Sequence, residues 1–184
     1  STTTTSGNRT RYYTQLHAGQ FPGDGNGLYG LTTVPWEVVI RFRWPTAADW
    51  TNSTTAIAFA ADTPGWPTRG IGVRYIDGTD TYLTFYSANG DGIWGTTSAT
   101  TVTPDAAWHR LRIRSDGATA FKVWVSLDGG PEVAVCPSGC TLTQADSGGT
   151  TINRLLFGIQ TDEAAQKLFQ LDYVHFWLDR GVAR

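Results

Sequence analysis

WHRLRIRSDGATAFKVWVSLDGG, residues 108–130, is the stretch of this sequence that decides the fold class. Apolar and polar residues alternate in both of its arms, which is the period of a β-strand with one buried and one wet face. Asp116-Gly117 and Asp128-Gly129 tolerate the positive φ that hairpin turns require. The stretch therefore predicts an antiparallel hairpin. Its wet face carries positive and aromatic side chains but no carboxylate for acid–base chemistry: Arg110, Arg112, Arg114 and Trp124.

The same alternation recurs along most of the chain, and residues 36–44 (WEVVIRFRW) show it over their whole length. Many short strands separated by Gly, Pro and Asp turns predict an all-β, two-sheet antiparallel sandwich. The only predicted helical turn is 161–166. Further strands are predicted at 11–17, 55–60, 70–76, 82–88, 99–103, 132–135, 152–160 and 168–178. Tryptophans inside strands are expected to pack in the core or on a sheet: Trp36, Trp44, Trp108, Trp124 and Trp177.

Length and charge bound the organisation of the chain. Its 184 residues fit one domain. The polar, low-complexity start predicts a flexible arm over residues 1–10, followed by a single domain over 11–184. A net charge of −2 gives no electrostatic reason to bind nucleic acid. No apolar run approaches the ~18 residues that a membrane span needs, so membrane insertion is not expected.

The two cysteines, Cys136 and Cys140, lie in CPSGC. Three intervening residues allow a local disulfide, which would favour an oxidising setting, and two free thiols are the alternative. A zinc site needs further ligands, and there is no second cysteine pair.

Three stretches carry a family resemblance. DAAWHRLRI (105–113) followed by KVWVSLDGG (122–130), and the closing FQLDYVHFW (169–177), resemble the concanavalin A-like, laminin-G-like jelly roll. FPGDGNG (21–27), leading to residues 36–44 and then to AADWT (47–51), resembles a variant found in virion and tail proteins of bacteriophages. The resemblance covers residues 20–180 and implies a jelly-roll sandwich. This fold hosts lectins, glycosidases, lyases, peptidases and structural modules, so it does not fix the function.

The residues argue against an enzyme. Glycoside hydrolases of this fold carry an E-x-D-x-E strand, whereas none of Glu37, Glu132 and Glu163 has an acidic residue two positions away. Gln15-Leu16-His17 resembles the Q-[IV]-H strand of alginate-type lyases, but the partner motifs of those lyases are missing. No catalytic residue is therefore predicted, and a polysaccharide-active enzyme, a lyase rather than a hydrolase, is the alternative.

Two groups of residues are candidates for ligand binding. Trp50, Trp66 and Trp94 fall in loop-like segments, where they either cap the sandwich or contact a glycan or a protein partner. Arginines 41, 43, 74, 110, 112 and 114 point away from the apolar sides of their strands. If 36–44 and 108–114 share a sheet, Arg41, Arg43 and Arg112 belong to a basic stripe that suits a carboxylated or sulfated glycan. The alternative is a solvated face whose charges oppose edge aggregation.

The resemblance also implies a cation site. Related jelly rolls bind Ca²⁺ through an Asp on the last strand and an N-terminal acidic or amide residue. Asp172 matches the first position, and Asp24 or Asn26 could supply the second. The alternative is that Asp172 only accepts a hydrogen bond at a sheet edge. No other cofactor is expected.

The leading hypothesis is a non-catalytic jelly-roll module on a virion surface or outside a cell. Such a module either decorates an assembly or attaches to a glycan. The expected partners are other virion or surface subunits, a glycan, or further copies of the same chain. A carbohydrate-binding module of a larger secreted enzyme is a further alternative.

Overall fold

Two antiparallel sheets pack face to face in a computed structural model of the chain, which describes residues 9–15, 35–61, 69–89, 98–116, 123–135, 152–161 and 166–178. The six-stranded sheet has the order β1-β10-β3-β4-β5-β6, and the five-stranded sheet has the order β11-β2-β7-β8-β9. Within the described ranges the elements are β1 (Arg9–Gln15), β2 (Trp36–Arg43), α1 (Ala47–Trp50), β3 (Ser53–Ala61), β4 (Arg69–Ile76), β5 (Thr84–Asn89), β6 (Ser98–Ala99), β7 (His109–Ser115), β8 (Val123–Leu127), β9 (Val133–Ala134), β10 (Ile152–Thr161) and β11 (Gln170–Leu178).

The predicted all-β sandwich is confirmed, and so is the pairing of the two arms of residues 108–130. β7 and β8 are antiparallel neighbours, with Leu111 opposite Leu127 and Ser115 opposite Val123. The expected turn at Asp128-Gly129 is also present, since both residues have positive φ, 52° and 76°. Gly130 N–H closes this turn by donating to the Leu127 carbonyl at 2.9 Å. The connection at 117–122, which includes the other expected turn, lies outside the described residues.

Several boundaries differ from those that the sequence predicts. β1 begins at Arg9 and pairs with β10, so residues 9 and 10 belong to a strand and not to the arm predicted over 1–10. β6 has two residues where five were predicted. Thr161, predicted as part of a helical turn, ends β10, and 162–165 lie outside the described residues. No helix in the described ranges is long and apolar enough to cross a membrane.

α1 was not predicted, and a capping interaction explains it. The Asp49 carboxylate accepts hydrogen bonds from the Thr46 N–H at 2.9 Å and from the Thr46 hydroxyl at 2.8 Å. Satisfying groups at the start of a helix in this way stabilises its first turn. In the sequence, this helix is visible only as one Asp in the short segment AADW. Such a segment looks like an ordinary loop.

The core lies between the two sheets and ends in an aromatic cluster around Trp44. β2 contributes Val38, Ile40 and Phe42, each 0% exposed. The Trp44 ring lies edge-on to Phe42, with 5.5 Å between the ring centroids. Its indole N–H donates to the Thr55 hydroxyl on β3 at 3.1 Å, which joins the end of one sheet to the other. Burying side chains of this size contributes about 1.5–3 kcal/mol each.

A buried lysine fixes the chain at the start of β11. Lys167 is 3% exposed, and its ammonium donates to the Ala48 carbonyl at 2.6 Å and to the Thr51 carbonyl at 2.7 Å. Asp49, 4% exposed, accepts the Leu168 N–H at 2.8 Å. A buried charge is tolerated when hydrogen bonds satisfy it, as these do. The segment before β11 is therefore anchored to α1.

We predict that Lys167→Met destabilises the protein by about 2–4 kcal/mol, because the Ala48 and Thr51 carbonyls lose a charged donor. Urea denaturation at neutral pH measures the change. The matched control is Gln166→Met at the exposed neighbouring position, for which a change within about 0.5 kcal/mol is expected. An equal loss in both variants would contradict the anchoring role.

Candidate functional site

The outer face of the five-stranded sheet, the face turned away from the core, carries a regular grid of polar and aromatic side chains. Strand pairing aligns them in rows that cross β11, β2, β7 and β8. The first row is Trp177, Glu37, Arg114 and Trp124; the second is His175, Val39, Arg112 and Ser126; the third is Tyr173, Arg41 and Arg110.

Two arginines and two glutamates form a connected ion network on this face. Arg112 donates to Glu37 at 2.6 Å and to Glu132 at 2.7 Å. Arg114 donates to both oxygens of Glu132 through Nε and Nη2, at 2.8 and 2.6 Å. The bonds from Arg114 hold the pKa of Glu132 below its usual value, and the bond to Glu37 raises the pKa of Arg112. The network thus pairs two guanidinium groups with two carboxylates, and the ion pairs balance the charge locally.

Three tryptophans lie on the same face. The Arg114 guanidinium lies 4.2 Å from the centroid of the Trp124 ring. At the far edge of the face, Trp177 is 51% exposed. The Arg43 guanidinium lies 4.6 Å from the centroid of the Trp108 ring. Such distances are those of a cation–π contact, in which the ring face attracts the guanidinium.

A shallow depression lies beside Trp177. It has a volume of about 340 Å³, and its lining consists of Glu37, Val39, His175 and Trp177. Val39 is 5% exposed although it points outward, which places an apolar floor between polar side chains. The face thus offers flat aromatic surfaces next to groups that donate and accept hydrogen bonds.

Comparison with solved structures finds the same fold at low sequence identity. The carbohydrate recognition domain of Emp46p, in its potassium-bound form, gives a TM-score of 0.58 at 9% identity over 95% of this chain and 80% of that chain. A protein of unknown function from Shewanella oneidensis MR-1 gives a TM-score of 0.57 at 16% identity over 95% of this chain. The fold is that of the concanavalin A-like jelly rolls.

The jelly roll described here spans only 65% of the Shewanella protein. The carbohydrate recognition domain of Emp47p gives a TM-score of 0.51 at 10% identity, over 79% of this chain and 72% of that chain. No protein-family profile matches the sequence, and no curated protein does. The likeness to bacteriophage proteins stays a prediction, because its loop at 21–27 lies outside the described residues.

The structure brings the predicted arginines together but gives most of them partners. β2 and β7 are neighbours, so Arg41, Arg43 and Arg112 share the outer face as expected. Arg41 donates to Asp172 at 2.7 Å, and Arg43 donates to Gln170 at 2.7 Å. Together with the pairing of Arg112, this makes the face a mixed-charge surface and not the uniformly basic stripe that the strand pattern suggested. Arg74 lies on β4 in the other sheet.

Only one of the three loop tryptophans falls within the described residues. Trp50 ends α1 and packs against the core, with its ring centroid 6.2 Å from that of Trp44. This contact is the capping role that the sequence left open. Trp66 and Trp94 lie outside the described ranges, so their expected ligand contacts stay predictions.

Asp172 makes the contact expected for the second of its two predicted roles, and the Ca²⁺ site itself stays a prediction. Its carboxylate accepts the Arg41 hydrogen bond at the sheet edge, and a guanidinium in this position opposes binding of Ca²⁺. The described residues contain no group of three or more His, Cys, Asp or Glu side chains that could hold a metal ion. Asp24 and Asn26, like Cys136 and Cys140, fall in parts of the chain that the structure does not describe.

The close histidine–carboxylate pair on β7 is structural. His109 is 3% exposed, and its ring lies 5.4 Å from Phe42 and 5.9 Å from Trp44 between centroids. Its Nδ1 lies 2.8 Å from Asp128 Oδ2 and donates to it, since a carboxylate only accepts. Asp128 also accepts the Arg110 N–H at 2.6 Å. A ring enclosed by aromatic side chains has no access to a substrate.

The sequence predicts only part of the aromatic outer face. Trp36 and Trp44 pack in the core as expected, 2% and 1% exposed. Trp124 lies on the outer face, as its alternation with Val123 and Val125 predicts. Trp108 and Trp177 also occupy outward, at least partly exposed positions, and sequence reasoning did not bring them together with Trp124. The pairing of Glu37 and Glu132 with arginines depends on register between distant strands, which the sequence does not display.

We predict that Asp128→Asn lowers stability at neutral pH and makes it less sensitive to acid. Burial opposes ionisation of Asp128, but the bonds from His109 and Arg110 outweigh it and keep its pKa below the usual value. A lowered carboxyl pKa stabilises the folded state above the unfolded pKa, and this stabilisation is lost as pH falls through the folded pKa. Urea denaturation between about pH 5 and 2 measures this change in the free energy of unfolding.

The control for this experiment is Asp105→Asn. Asp105 lies 3.4 Å from the other ring nitrogen of His109, but its side chain is 54% exposed. Its variant should follow the acid dependence of the unmodified protein. A loss of acid sensitivity in Asp105→Asn, with none in Asp128→Asn, would contradict the assignment.

Proposed function

We propose that this jelly roll is a non-catalytic glycan-binding module that uses the outer face of its five-stranded sheet. The observation that carries the proposal is the combination of Trp108, Trp124 and Trp177 with the Arg–Glu network on one open face. A sugar ring presents an apolar side, which packs on an indole, and a rim of hydroxyl groups, which both donate and accept hydrogen bonds. The outer face supplies surfaces of both kinds side by side.

The fold comparisons support the proposal at a coarse level. Emp46p and Emp47p contribute carbohydrate recognition domains of this fold. Their likeness concerns the backbone architecture, because their identities to this chain are 9% and 10%. The choice of a glycan ligand therefore depends on the side chains of the outer face and not on the comparison.

The state of the carboxylates supports a binding role over hydrolysis. A general acid of a glycosidase needs a raised pKa so that it holds a proton at neutral pH. Glu132 is held ionised by Arg114, with its pKa lowered, and Glu37 and Asp172 are each bonded to an arginine. A lyase that uses Gln15 and His17 is the alternative, and the appearance of unsaturated products from acidic polysaccharides would identify it.

We also propose a location outside the cell or on a virion surface, where a glycan or other surface subunits would meet the outer face. The bacteriophage-like segments of the sequence support the virion variant, and the possible disulfide at Cys136 and Cys140 supports an oxidising setting. A role as the carbohydrate-binding module of a larger secreted enzyme would use the same face.

We predict that the purified protein binds glycans on an array and that Trp177→Ala weakens this binding by about tenfold, because an exposed aromatic platform is lost. The matched control is Tyr82→Ala, which removes an aromatic side chain that is 38% exposed and lies before β5, away from the outer face. Titration calorimetry with the best array ligand measures both variants. Equal weakening in both, or no array binding by the unmodified protein, would contradict the proposal.

A further inference from the structure

We propose, given the glycan-binding role argued above, that the ligand is an uncharged linear oligosaccharide lying across the strands of the outer face. In this arrangement one sugar stacks on Trp177 and another packs against Trp124 and the Arg114 guanidinium that lies over its ring, and the intervening sugars bond to the Arg–Glu network. The arrangement of the row determines the direction of the ligand on the sheet, and the charge balance of the network determines its class.

Strand pairing places both tryptophans in one row. Trp177 is opposite Glu37, Glu37 is opposite Arg114, and Arg114 is opposite Trp124. The two indoles are thus three strand spacings apart, about 14 Å at the usual separation of neighbouring strands. One sugar ring cannot touch both. A chain of several sugars that runs perpendicular to the strands can engage both platforms.

The row is bounded by small or exposed side chains at its ends. Ala134 on β9 is the next residue beyond Trp124, and a methyl group leaves space over the sheet. At the other end, Trp177 belongs to β11, the last strand in the order of its sheet as described. The depression beside Trp177 lies between the first and second rows, since Glu37 and Trp177 belong to the first row and His175 to the second. These features favour a chain that enters at one edge of the sheet and leaves at the other.

The charge balance between the two platforms favours an uncharged ligand. Arg112 and Arg114 carry two positive charges, and Glu37 and Glu132 carry two negative charges in direct contact with them. A carboxylate or sulfate on the ligand would gain little from arginines already bonded to carboxylates, and it would be repelled by those carboxylates. A hydroxyl group can accept from a remaining guanidinium N–H and donate to a remaining carboxylate lone pair.

Among the described residues of the outer face, the arginines without a carboxylate partner are Arg110 and Arg43, and both lie outside the row. Arg110 is exposed and is opposite Arg41 in the third row, with Arg43 further along β2. Tyr173 in the third row is four residues from Trp177 in the first, about 13 Å along an extended strand. This distance exceeds the screening length of about 8 Å at physiological ionic strength, so the third row adds little attraction for an anion bound between the platforms.

The test is calorimetric titration with oligosaccharide ladders of one to six sugar units. The neutral ladders are derived from cellulose, xylan, mannan and chitin, and the anionic ladders from polygalacturonate and alginate. We expect the affinity for a neutral ladder to rise with chain length until both platforms are engaged, and to change little with added salt. Trp124→Ala should abolish the gain with length, reducing long-chain affinity by about tenfold while short chains on Trp177 are unaffected.

Tyr173→Ala is the matched control, because it removes an aromatic side chain that is 41% exposed on the same face but lies outside the row, and it should keep the length dependence. Thermal denaturation confirms that each variant is folded. If Trp124→Ala does not fold, the length dependence of the unmodified protein decides the question alone. Equal affinity for one and six sugars would overturn the inference.

A second variant tests the charge balance. Glu132→Gln removes one negative charge and the partner of Arg114, so we expect it to raise the affinity for the anionic ladders by about tenfold. Asp172→Asn, which removes a negative charge outside the row, should leave that affinity unchanged. The inference would be overturned, with glycan binding intact, if the unmodified protein bound the anionic ladders more strongly than the neutral ones and if added salt markedly lowered that affinity. Absence of binding to any ladder or array glycan would instead contradict the proposed function itself.

Discussion

The burial of alternate side chains on β2 and β7 is the constraint on which the rest of the molecule depends. Ile40, Leu111 and Ile113 are 0% exposed between the sheets. Because successive strand residues point to opposite faces, a shift of one residue would exchange these side chains with arginines. The apolar core therefore fixes the register, and the register in turn places Arg112 between Glu37 and Glu132. Packing on the inner face of the sheet therefore determines which side chains meet on the outer face.

Local alternation made the fold predictable, whereas the site depended on contacts that a linear sequence does not show. The faces of β7 and β8 followed from their period of two, and the turn at Asp128-Gly129 followed from residues that tolerate positive φ. The Arg41–Asp172 bond, in contrast, joins residues 131 positions apart. The strand pattern gave the direction of each arginine, but its partner depends on the order β11-β2-β7 in the sheet.

The arginines of the outer face therefore do not form the anion-binding site that their number suggests. Taken alone, six arginines on strands indicate a site for anions. In the folded chain, Arg112 and Arg114 are bonded to glutamates, and the Arg114 guanidinium also lies over the Trp124 ring. A guanidinium held in this way is oriented as a hydrogen-bond donor, and its charge is balanced locally. The surface is better suited to hydroxyl groups than to carboxylates or sulfates.

The anchoring of the segment before β11 to α1 also affects the position of side chains on the outer face. Lys167 and Asp49 tie the residues before β11 to α1, and β11 then carries Trp177 and His175 along the edge of β2. Edge strands are the least supported elements of a sheet, since one side lacks ladder hydrogen bonds. An anchor at the start of such a strand limits sliding against β2, which would move Trp177 out of the row that contains Trp124. The buried lysine thus stabilises the fold and also keeps the two aromatic platforms in alignment.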